Sequence, residues 1–160
     1  MQKPQKTNAM RILEQQSIAF THTEYEADAF TDGASTADRL GLPHERVFKT
    51  LVTTGQDRAH YVFVIPVDET LDLKKCAKSV GVKAVEMLPQ KELFALTGYV
   101  RGGCTAIGMK KKFVTRIDET AMLFDSIYIS GGRIGCQLCL APDDFCRAAV
   151  AAYADLTETH

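Results

Sequence analysis

Two strand-like segments joined by a short polar loop constrain the fold of this chain more than any other feature of its sequence. Residues 47–54 and 60–66 are rich in β-branched and aromatic side chains, and the loop between them contains Gly55 and Asp57. Strand patterns separated by a few residues that include glycine are typical of a β-hairpin. The sequence therefore predicts an antiparallel pair of strands.

Helical and strand patterns are interspersed along the rest of the chain. A helix is predicted between Asp72, as its N-cap, and Gly81, a common C-cap residue. Asn8 is the predicted N-cap of an opening helix that reaches residue 16, and Pro142 begins a final helix that includes Ala152. The other predicted elements are helices over residues 36–40 and 89–96 and strands over residues 18–25, 82–87, 113–117, 126–130 and 134–140. This arrangement predicts a compact α+β (mixed α/β) fold around a curved, largely antiparallel sheet that is flanked by helices.

The chain length and the distribution of apolar residues limit the classes of protein to consider. A chain of 160 residues fits one domain, residues 1–160, of which we expect residues 1–7 to be flexible. It has no apolar stretch of about 18 residues, so no membrane span is predicted. Its first residues lack the apolar centre of a signal peptide. We therefore expect a cytoplasmic protein without a membrane partner.

The five cysteines favour reduced thiols over disulfide bonds. Their number is odd and they lie in apolar contexts, unlike a disulfide framework. Cys136 and Cys139 form a CxxC pattern, but in the predicted strand over residues 134–140 side chains three positions apart point to opposite faces. No second Cys or His pair has the spacing of a zinc site. We expect the cysteines to pack in the core, and we expect the protein to bind no metal and no cofactor. Cys104 alone lies in a glycine-rich segment, where a thiol could approach a ligand.

Charge is unevenly distributed along the chain. Residues 73–116 contain ten basic and two acidic residues, a net charge of +8, although the whole chain has a net charge of −1. Such asymmetry favours an anionic partner, with nucleic acid as the leading candidate. The alternative is a solvated face whose charges are balanced in space. Charge alone does not decide between the two.

Lys49 is the most informative single residue of the sequence. In its strand pattern, Lys49 shares a face with Val47 and Leu51. A lysine among such neighbours is either an edge-strand residue directed to water or an ammonium group held in a cleft. The pattern itself leaves both interpretations open.

Two glycine-containing segments are candidate ligand loops. Residues 98–108 contain four glycines, but the segment matches neither the Walker nor the Rossmann pattern. The segment Ser130-Gly131-Gly132 is either a ligand-facing loop or a hairpin turn. The histidines have no Ser or Cys nearby in sequence, and no paired carboxylates stand out. An enzyme with this sequence lacks a general base of the usual kind, which favours chemistry assisted by the substrate itself.

Short motifs along the chain occur in an order typical of one known family. They are residues 48–51 (FKTL), 73–83 (LKKCAKSVGVK), 97–99 (TGY), 102–103 (GG), 107–108 (IG) and 127–132 (IYISGG). With these motifs, the chain resembles the YbaK/EbsC-type Cys-tRNA(Pro) deacylases, which are relatives of the editing domain inserted in bacterial prolyl-tRNA synthetases. The resemblance extends over residues 12–145.

The resemblance implies a mixed α/β domain with a partly barrelled sheet, and a pocket for the aminoacylated 3′ end of tRNA. The essential lysine of the family corresponds to Lys49. Ala106 departs from the family, because relatives commonly have proline there, and this bears on loop rigidity and substrate choice. The pocket residues of the family correspond to Tyr25, Phe30, Thr50, Gly102, Gly103 and Ser130, with a gap in the alignment before Phe30.

The resemblance also implies a mechanism and partners. The thiol of the charged cysteine attacks its own ester carbonyl, which releases a cyclic thiolactone and free tRNA. Lys49 is expected to anchor the terminal nucleotide or its phosphate, backbone amides near Gly102 to lie close to the carbonyl, and Lys110, Lys111 and Lys112 to contact the tRNA backbone. Prolyl-tRNA synthetase is an expected second partner. The alternatives are hydrolytic editing of alanyl- or prolyl-tRNA, and a noncatalytic module that binds a tRNA end or a synthetase.

Overall fold

The computed structural model describes residues 6–28 and 31–159, which form two β-sheets with helices around them. The helices are α1 (Asn8–Gln15), α2 (Gly33–Leu40), α3 (Leu73–Val80), α4 (Leu93–Thr97) and α5 (Pro142–Ala149). The strands are β1 (Thr21–Glu24), β2 (Phe48–Gly55), β3 (His60–Pro66), β4 (Val85–Met87), β5 (Val114–Asp118), β6 (Ile127–Ser130), β7 (Cys136–Leu140) and β8 (Ala151–Ala154). Short 3₁₀ helices cover His44–Arg46, Gln90–Glu92 and Glu119–Leu123. The predicted mixed α/β class is confirmed.

The two sheets differ in strand direction. The larger sheet has the order β4-β2-β3-β5-β8, with antiparallel pairing up to β3 and parallel pairing of β3 with β5 and of β5 with β8. The smaller sheet, β1-β7-β6, is antiparallel. A parallel bridge between Val47 and Tyr128 connects the start of β2 to β6. Within the described residues, the sheets do not close into a barrel.

The predicted hairpin is confirmed, and it forms the centre of the larger sheet. In β3, Val62 and Val64 point to one side, and Phe63 and Ile65 to the other; all four side chains are fully buried. A continuous apolar run is typical of a strand that is covered on both faces. The hairpin is therefore a fixed frame for the residues at the start of β2, including Lys49.

The main hydrophobic core lies between the two sheets. It brings side chains of β2 and β3 together with those of β6 and β7, and Leu13 from α1 and Phe145 from α5 complete it. A second cluster packs α3 against the opposite face of β3. A third, smaller cluster places Ala37 of α2 against Val47 and Val67. Burial of these large apolar side chains contributes on the order of 2 kcal/mol each, before the conformational entropy cost is subtracted.

The helix ends show which helix caps could be predicted from the neighbouring sequence. Asp72 caps α3 by accepting hydrogen bonds from the backbone N–H of Lys74 and Lys75, and Gly81 ends this helix in the left-handed conformation, as predicted. The N-cap of α1 is Thr7, whose hydroxyl accepts from the N–H of Met10 at 3.2 Å. The prediction of Asn8 as the N-cap was therefore wrong by one residue.

The C-terminal segment differs from the prediction. Helix α5 ends at Ala149, Val150 adopts the left-handed conformation with φ 54°, and the next residues form β8. Ala152 was predicted to be helical, but it pairs with Arg116 of β5. Alanine-rich sequence favours helix locally, and a free edge of the sheet overrides that preference.

Candidate functional site

A cavity of about 440 Å³ lies where β2 separates from the smaller sheet. We call it the edge cleft. Strand β2 meets β6 at Val47, and β4 pairs with β2 only from Thr53 onward, so the cleft occupies the gap between these two neighbours. Its lining includes Tyr25, Asp32, Thr36, Lys49, Thr50, Leu93, Arg101, Gly102, Cys104, Ser130 and Gln137.

The backbone of Thr50 forms part of this gap. The carbonyl of Val47 accepts from the N–H of Val67, so odd-numbered residues of β2 direct their backbone groups to β3. Even-numbered residues point to the other edge, where the carbonyl of Val52 accepts from Leu88 at 3.0 Å. No strand of the described residues pairs with Thr50 at this edge. Its N–H and C=O are thus directed into the cleft, in position for a ligand.

Lys49 is half-buried in the cleft. Its Nζ donates to the carbonyl of Val67 at 3.1 Å, and an ammonium group has three donors, so further donors are available for a ligand. Burial lowers the pKa of Lys49 below its usual value, and the carboxylates of Asp68, Asp32 and Glu69 oppose this shift. Partial desolvation makes such a cation more effective towards negative charge than one in bulk water. The structure therefore supports the second interpretation of Lys49, an ammonium group held in a cleft, over that of an edge-strand residue directed to water.

The start of α2 forms one wall of the cleft. Asp32 is the N-cap and accepts from the N–H of Ser35 at 2.7 Å, which lowers the pKa of the Asp32 carboxyl. The hydroxyl of Thr36 donates to the carbonyl of Asp32 at 3.0 Å. Tyr25 lies beside Thr36, and burial raises the pKa of its phenol. The predicted helix over residues 36–40 began three residues too late, because Gly33 is a poor helix former.

The glycine-rich segment is a fixed loop on the opposite wall. The hydroxyl of Tyr99 donates to the carbonyl of Ile107 at 2.6 Å, and the side-chain amide of Asn8 donates to the carbonyl of Gly108 at 2.8 Å. Ala106 is buried in the main core. These contacts tie the loop to α1 and the core, so a proline at position 106 is not needed to hold it.

The two glycines of the Gly-Gly pair occupy different positions. Gly102 lines the cleft, in the left-handed conformation with φ +87°. Gly103 lies behind it, and its N–H donates to the carbonyl of Val100 at 2.9 Å. A Cβ at Gly103 would come within 2.8 Å of the backbone of Arg133, so close packing of two loops requires glycine there. The geometry thus brings Gly102, but not Gly103, to the cleft.

Ser130 and Gln137 line the cleft from the smaller sheet, where they are cross-strand partners on β6 and β7. Gln137 is only 5% exposed, and its Oε1 has no hydrogen-bond partner among the described residues. A buried polar atom without a partner is costly, so this amide at the wall of the cleft is a candidate contact for a ligand donor. The sequence analysis missed Gln137. The available signal was a lone amide in the apolar strand Cys136–Leu140.

The thiols of the protein are poorly suited to nucleophilic attack. Cys104 lines the cleft, but burial raises its pKa to about 12, so it is a neutral thiol near pH 7. Cys136 is fully buried and Cys139 is half-buried, in a strand whose side chains alternate between faces. In the described part of the chain, no group of three or more His, Cys, Asp or Glu side chains could hold a metal ion.

The basic residues of the central segment do not share one face. Lys75 binds Asp155 and the carbonyl of Thr157, and Arg116 donates to the carbonyl of Ser79. The three exposed lysines after the glycine loop also diverge: Lys110 lies over the ring of Phe94, whereas Lys111 and Lys112 line a separate hollow beside α1 and Val150. The net charge of +8 therefore overstates the cationic surface near the cleft.

The structure brings Tyr25, Lys49, Thr50, Gly102 and Ser130 together around one cavity. These residues come from four separate parts of the chain, and each was predicted from the family resemblance. Phe30, the remaining predicted pocket residue, lies outside the described residues.

A second cavity, of about 550 Å³, lies between the loop after β3, the 3₁₀ helix Glu119–Leu123 and the C-terminal residues. We call it the acidic hollow. His44 contacts Asp68 through Nδ1 at 2.8 Å and Asp38 through Nε2 at 2.6 Å. Lys75 contacts Asp155 at 3.1 Å. The two basic side chains that line this hollow, His44 and Lys75, thus already have acidic partners.

The protein is thus a mixed α/β domain with a cleft that contains a half-buried lysine. The chain belongs to the aminoacyl-tRNA editing domain family, whose sequence pattern matches residues 29–148. It is 44% identical over 154 residues to a protein of Enterococcus faecalis (strain ATCC 700802 / V583), provisionally named Cys-tRNA(Pro)/Cys-tRNA(Cys) deacylase EbsC. The match covers 96% of this chain and 94% of that protein.

Solved structures share the fold. The crystal structure of the hypothetical protein APE2540 superimposes with a TM-score of 0.86 at 24% identity, over 94% of this chain and 99% of that chain. The crystal structure of a protein provisionally described as a trans-editing enzyme for prolyl tRNA synthetase gives a TM-score of 0.82 at 23% identity, over 98% and 100% of the two chains. No helix of the described residues is long and apolar enough to cross a membrane.

Proposed function

We propose that this protein is a free-standing editing deacylase that releases cysteine from mischarged Cys-tRNA(Pro), with the cysteinyl thiol of the substrate as the nucleophile. Family membership supports an aminoacyl-tRNA substrate. The name of the Enterococcus relative, which is 44% identical, supports cysteine as the amino acid and tRNA(Pro) as the carrier.

One observation carries the mechanism: the edge cleft holds a cation but, in the described residues, no activated nucleophile or free general base. Cys104 is its only thiol, with a pKa raised to about 12 by burial. Asp32 is its only carboxylate, and hydrogen bonds from Ser35 lower the pKa of that group and make it a weaker base. None of the described histidines lines the cleft. A nucleophile carried by the substrate removes the need for one in the protein.

In the proposed reaction, the sulfur of the charged cysteine forms a bond to its own ester carbonyl carbon, and the bond from that carbon to the ribose oxygen breaks. The thiol proton ends on the departing ribose hydroxyl, so the products are a cyclic thiolactone and uncharged tRNA. Intramolecular attack has a high effective concentration, up to about 10⁵ M or more for well-oriented groups. The protein therefore needs mainly to hold one conformer of the aminoacyl group.

Each cleft residue has a role in holding that conformer. Lys49 anchors the terminal nucleotide or its phosphate and counters the negative charge that develops on the carbonyl oxygen. Backbone amides near Gly102 and the unpaired N–H of Thr50 lie at the same cavity and offer further donors. Gln137 is assigned as an acceptor for the charged α-amino group, which requires its buried amide to turn towards the cleft. Tyr25 and Ser130 shape the pocket.

The test compares tRNA(Pro) charged with cysteine, S-blocked cysteine, serine, alanine or proline. We expect rapid release from Cys-tRNA only, with thiolactone detected by mass spectrometry before it hydrolyses. Serine has a similar size, but its hydroxyl is a far poorer nucleophile than a thiolate, so release should be much slower. Release of S-blocked cysteine, alanine or proline as the free acid would instead support hydrolytic editing. Binding without any turnover would support a noncatalytic module.

Cys104→Ser separates the substrate thiol from that of the protein. We expect this variant to retain most of its activity, because the buried thiol of Cys104 is not ionised near pH 7. Two results together would point to a covalent cysteine mechanism. The Cys104→Ser protein would be folded but inactive, and the wild type would still cleave S-blocked Cys-tRNA. Contact with prolyl-tRNA synthetase stays a prediction, which co-purification with that enzyme tests.

A further inference from the structure

Phe94 is an aromatic side chain that the fold leaves in solvent beside the edge cleft. It is 58% exposed, whereas its neighbours Leu93 and Leu96 on α4 pack against the main core. Among the described residues, Phe94 is the one aromatic side chain in the set of exposed large apolar residues, and neighbouring exposed apolar side chains mark contact surfaces. Met87 and Val100, in adjoining segments, are also more than 40% exposed, at 46% and 43%.

A cation is held over the same ring. The ammonium of Lys110 lies 5.3 Å from the centroid of Phe94. Three backbone features fix this pair: Lys110 N–H donates to the carbonyl of Thr97 at 3.0 Å, Gly98 N–H donates to the carbonyl of Phe94 at 2.8 Å, and Gly98 has no side chain in the path of the Lys110 stem. A Cβ at Gly98 would lie 3.2 Å from Cγ of Lys110. We call Phe94 and Lys110 the ring platform.

Residues that line the edge cleft directly precede the ring platform in the chain. Gln90 and Leu93, which precede Phe94 in the chain, line the cleft. Arg101 also lines it and donates from Nη1 to Oε1 of Gln90 at 3.0 Å. A ligand that extends out of the cleft past Gln90 and Arg101 therefore reaches Phe94 and Lys110.

The chemistry of this surface fits unpaired nucleic acid better than protein. An exposed ring with the Lys110 cation over it, and a further cation, Arg101, in the cleft, is a combination that proteins use to stack a base and follow its phosphates. The centres of protein interfaces are depleted in lysine. A cavity of about 440 Å³ has the size of a small-molecule pocket, so it takes the terminal aminoacyl nucleotide and leaves the preceding nucleotides outside.

We propose that the ring platform stacks an unpaired nucleobase of the tRNA 3′ end, next to the terminal nucleotide, while Lys110 neutralises its phosphate. This inference rests on the proposed function, because it takes the terminal nucleotide to be in the edge cleft. Stacking does not depend on the identity of the base, so the platform adds affinity and orientation without reading the tRNA sequence.

The experiment measures release from a cysteinylated RNA hairpin that carries either the natural 3′ end or an abasic site at the penultimate position. Phe94→Ala should lower kcat/KM about tenfold on the natural end, as expected for loss of one stacked base, and Phe94→Trp should restore it. On the abasic hairpin, Phe94→Ala and wild type should be equal. Leu123→Ala is the matched control, since Leu123 is 76% exposed beside the acidic hollow, and its activity should not change.

Two outcomes overturn the proposal: equal losses for Phe94→Ala on both hairpins, or no loss on the natural one. If wild type releases no amino acid from any charged RNA, the proposed function fails, and binding of the unpaired trinucleotide CCA then tests the platform. Weaker CCA binding by Phe94→Ala supports the platform, and unchanged binding overturns it. Loss of synthetase binding in Phe94→Ala, with RNA binding intact, identifies the surface as a protein contact and also overturns it.

Discussion

The edge cleft and the acidic hollow are cavities of similar size with opposite electrostatic organisation. The hollow is the larger, about 550 Å³ against about 440 Å³, and it contains more ionisable groups. Its histidine and lysine are each satisfied by neighbouring carboxylates or carbonyls. Among the described residues, the cleft instead has a backbone edge at Thr50 that no strand pairs, an Oε1 of Gln137 without a partner and a half-buried Lys49. Incomplete hydrogen bonding, and not volume, distinguishes a ligand site from a structural cavity.

Replacement of the lysine in each cavity should give the largest contrast. Lys49→Ala should lower deacylation about a hundredfold or more, as for loss of a key electrostatic group, with little change in Tm. Lys49→Arg should also be poor, because a planar guanidinium does not replace a compact ammonium. In the acidic hollow, Lys75→Ala should lower Tm and keep activity, since its partners Asp155 and Thr157 belong to the fold. Single-turnover kinetics and thermal unfolding measure both effects, and an active, folded Lys49→Ala protein would remove the catalytic role.

Replacement of the unpaired acceptor should give a smaller loss of activity. Gln137→Leu keeps the side-chain volume and removes the orphan carbonyl. We expect kcat/KM to fall about tenfold, in line with one hydrogen bond to a charged ligand group, without a drop in Tm. A lower Tm of the Gln137→Leu variant with unchanged kcat/KM would show that Gln137 is a packing residue. Thr23→Val, at the cross-strand partner of Gln137 on β1, is an exposed control that should change neither quantity.

The lysines after the glycine loop should have a modest effect that depends on salt. Replacing Lys110, Lys111 and Lys112 by Gln should weaken tRNA binding and reduce its salt dependence by up to about three phosphate contacts. Lys110→Gln should account for more of this change than the Lys111→Gln/Lys112→Gln pair, because Lys110 contacts Phe94, which follows the cleft residue Leu93, whereas Lys111 and Lys112 line a separate hollow. Affinity measured from low to high salt gives the slope. An unchanged slope in the triple variant would make these lysines a solvated face.

The acidic hollow should contribute to the pH dependence of the free energy of unfolding and not to activity. Hydrogen bonds to Asp38 and Asp68 raise the pKa of His44 above its ordinary value of 6.5. A raised pKa means that the stabilisation is complete below about pH 6.5 and is lost as pH increases through the folded-state pKa. His44→Asn should remove this part of the pH dependence of unfolding and change activity less than about twofold. Identical pH profiles for wild type and variant, measured by urea unfolding, would contradict the role of His44.

The contrast between the cavities also shows how far sequence reasoning extended into the site. The family motifs placed Lys49, Tyr25, Thr50, Gly102 and Ser130 among the candidates, and all five line the edge cleft. They did not indicate Gln137, because a single amide in a strand has no meaning until its neighbours are known. Gly103 was grouped with Gly102 because the two residues are adjacent. In the structure Gly102 lines the cleft, whereas Gly103 packs against the loop that contains Arg133.

The sequence by itself determined the local elements whose signals act over a few residues. The β2–β3 hairpin follows from its apolar strands and polar loop, and α3 follows from Asp72 and Gly81 at its ends. These features depend on backbone conformation and on alternation of side chains, which neighbouring residues specify. The interspersed helix and strand patterns indicated the mixed α/β class, and the family motifs agreed with it.

Only the tertiary structure decided the partners of each strand and the properties of the cavities. The addition of β8 to β5 overrode the helical preference of Ala152, because pairing at a sheet edge is a contact between residues far apart in sequence. In the same way, the burial of Lys49 depends on elements that pack on its face of β2, α2 among them, and Thr50 has no strand partner at its outer edge in the described residues because β4 pairs only from Thr53 onward. Burial and missing partners are properties of the assembled chain. Burial and strand pairing depend on residues that are distant in sequence, whereas the apolar pattern of a segment depends only on the residues of that segment.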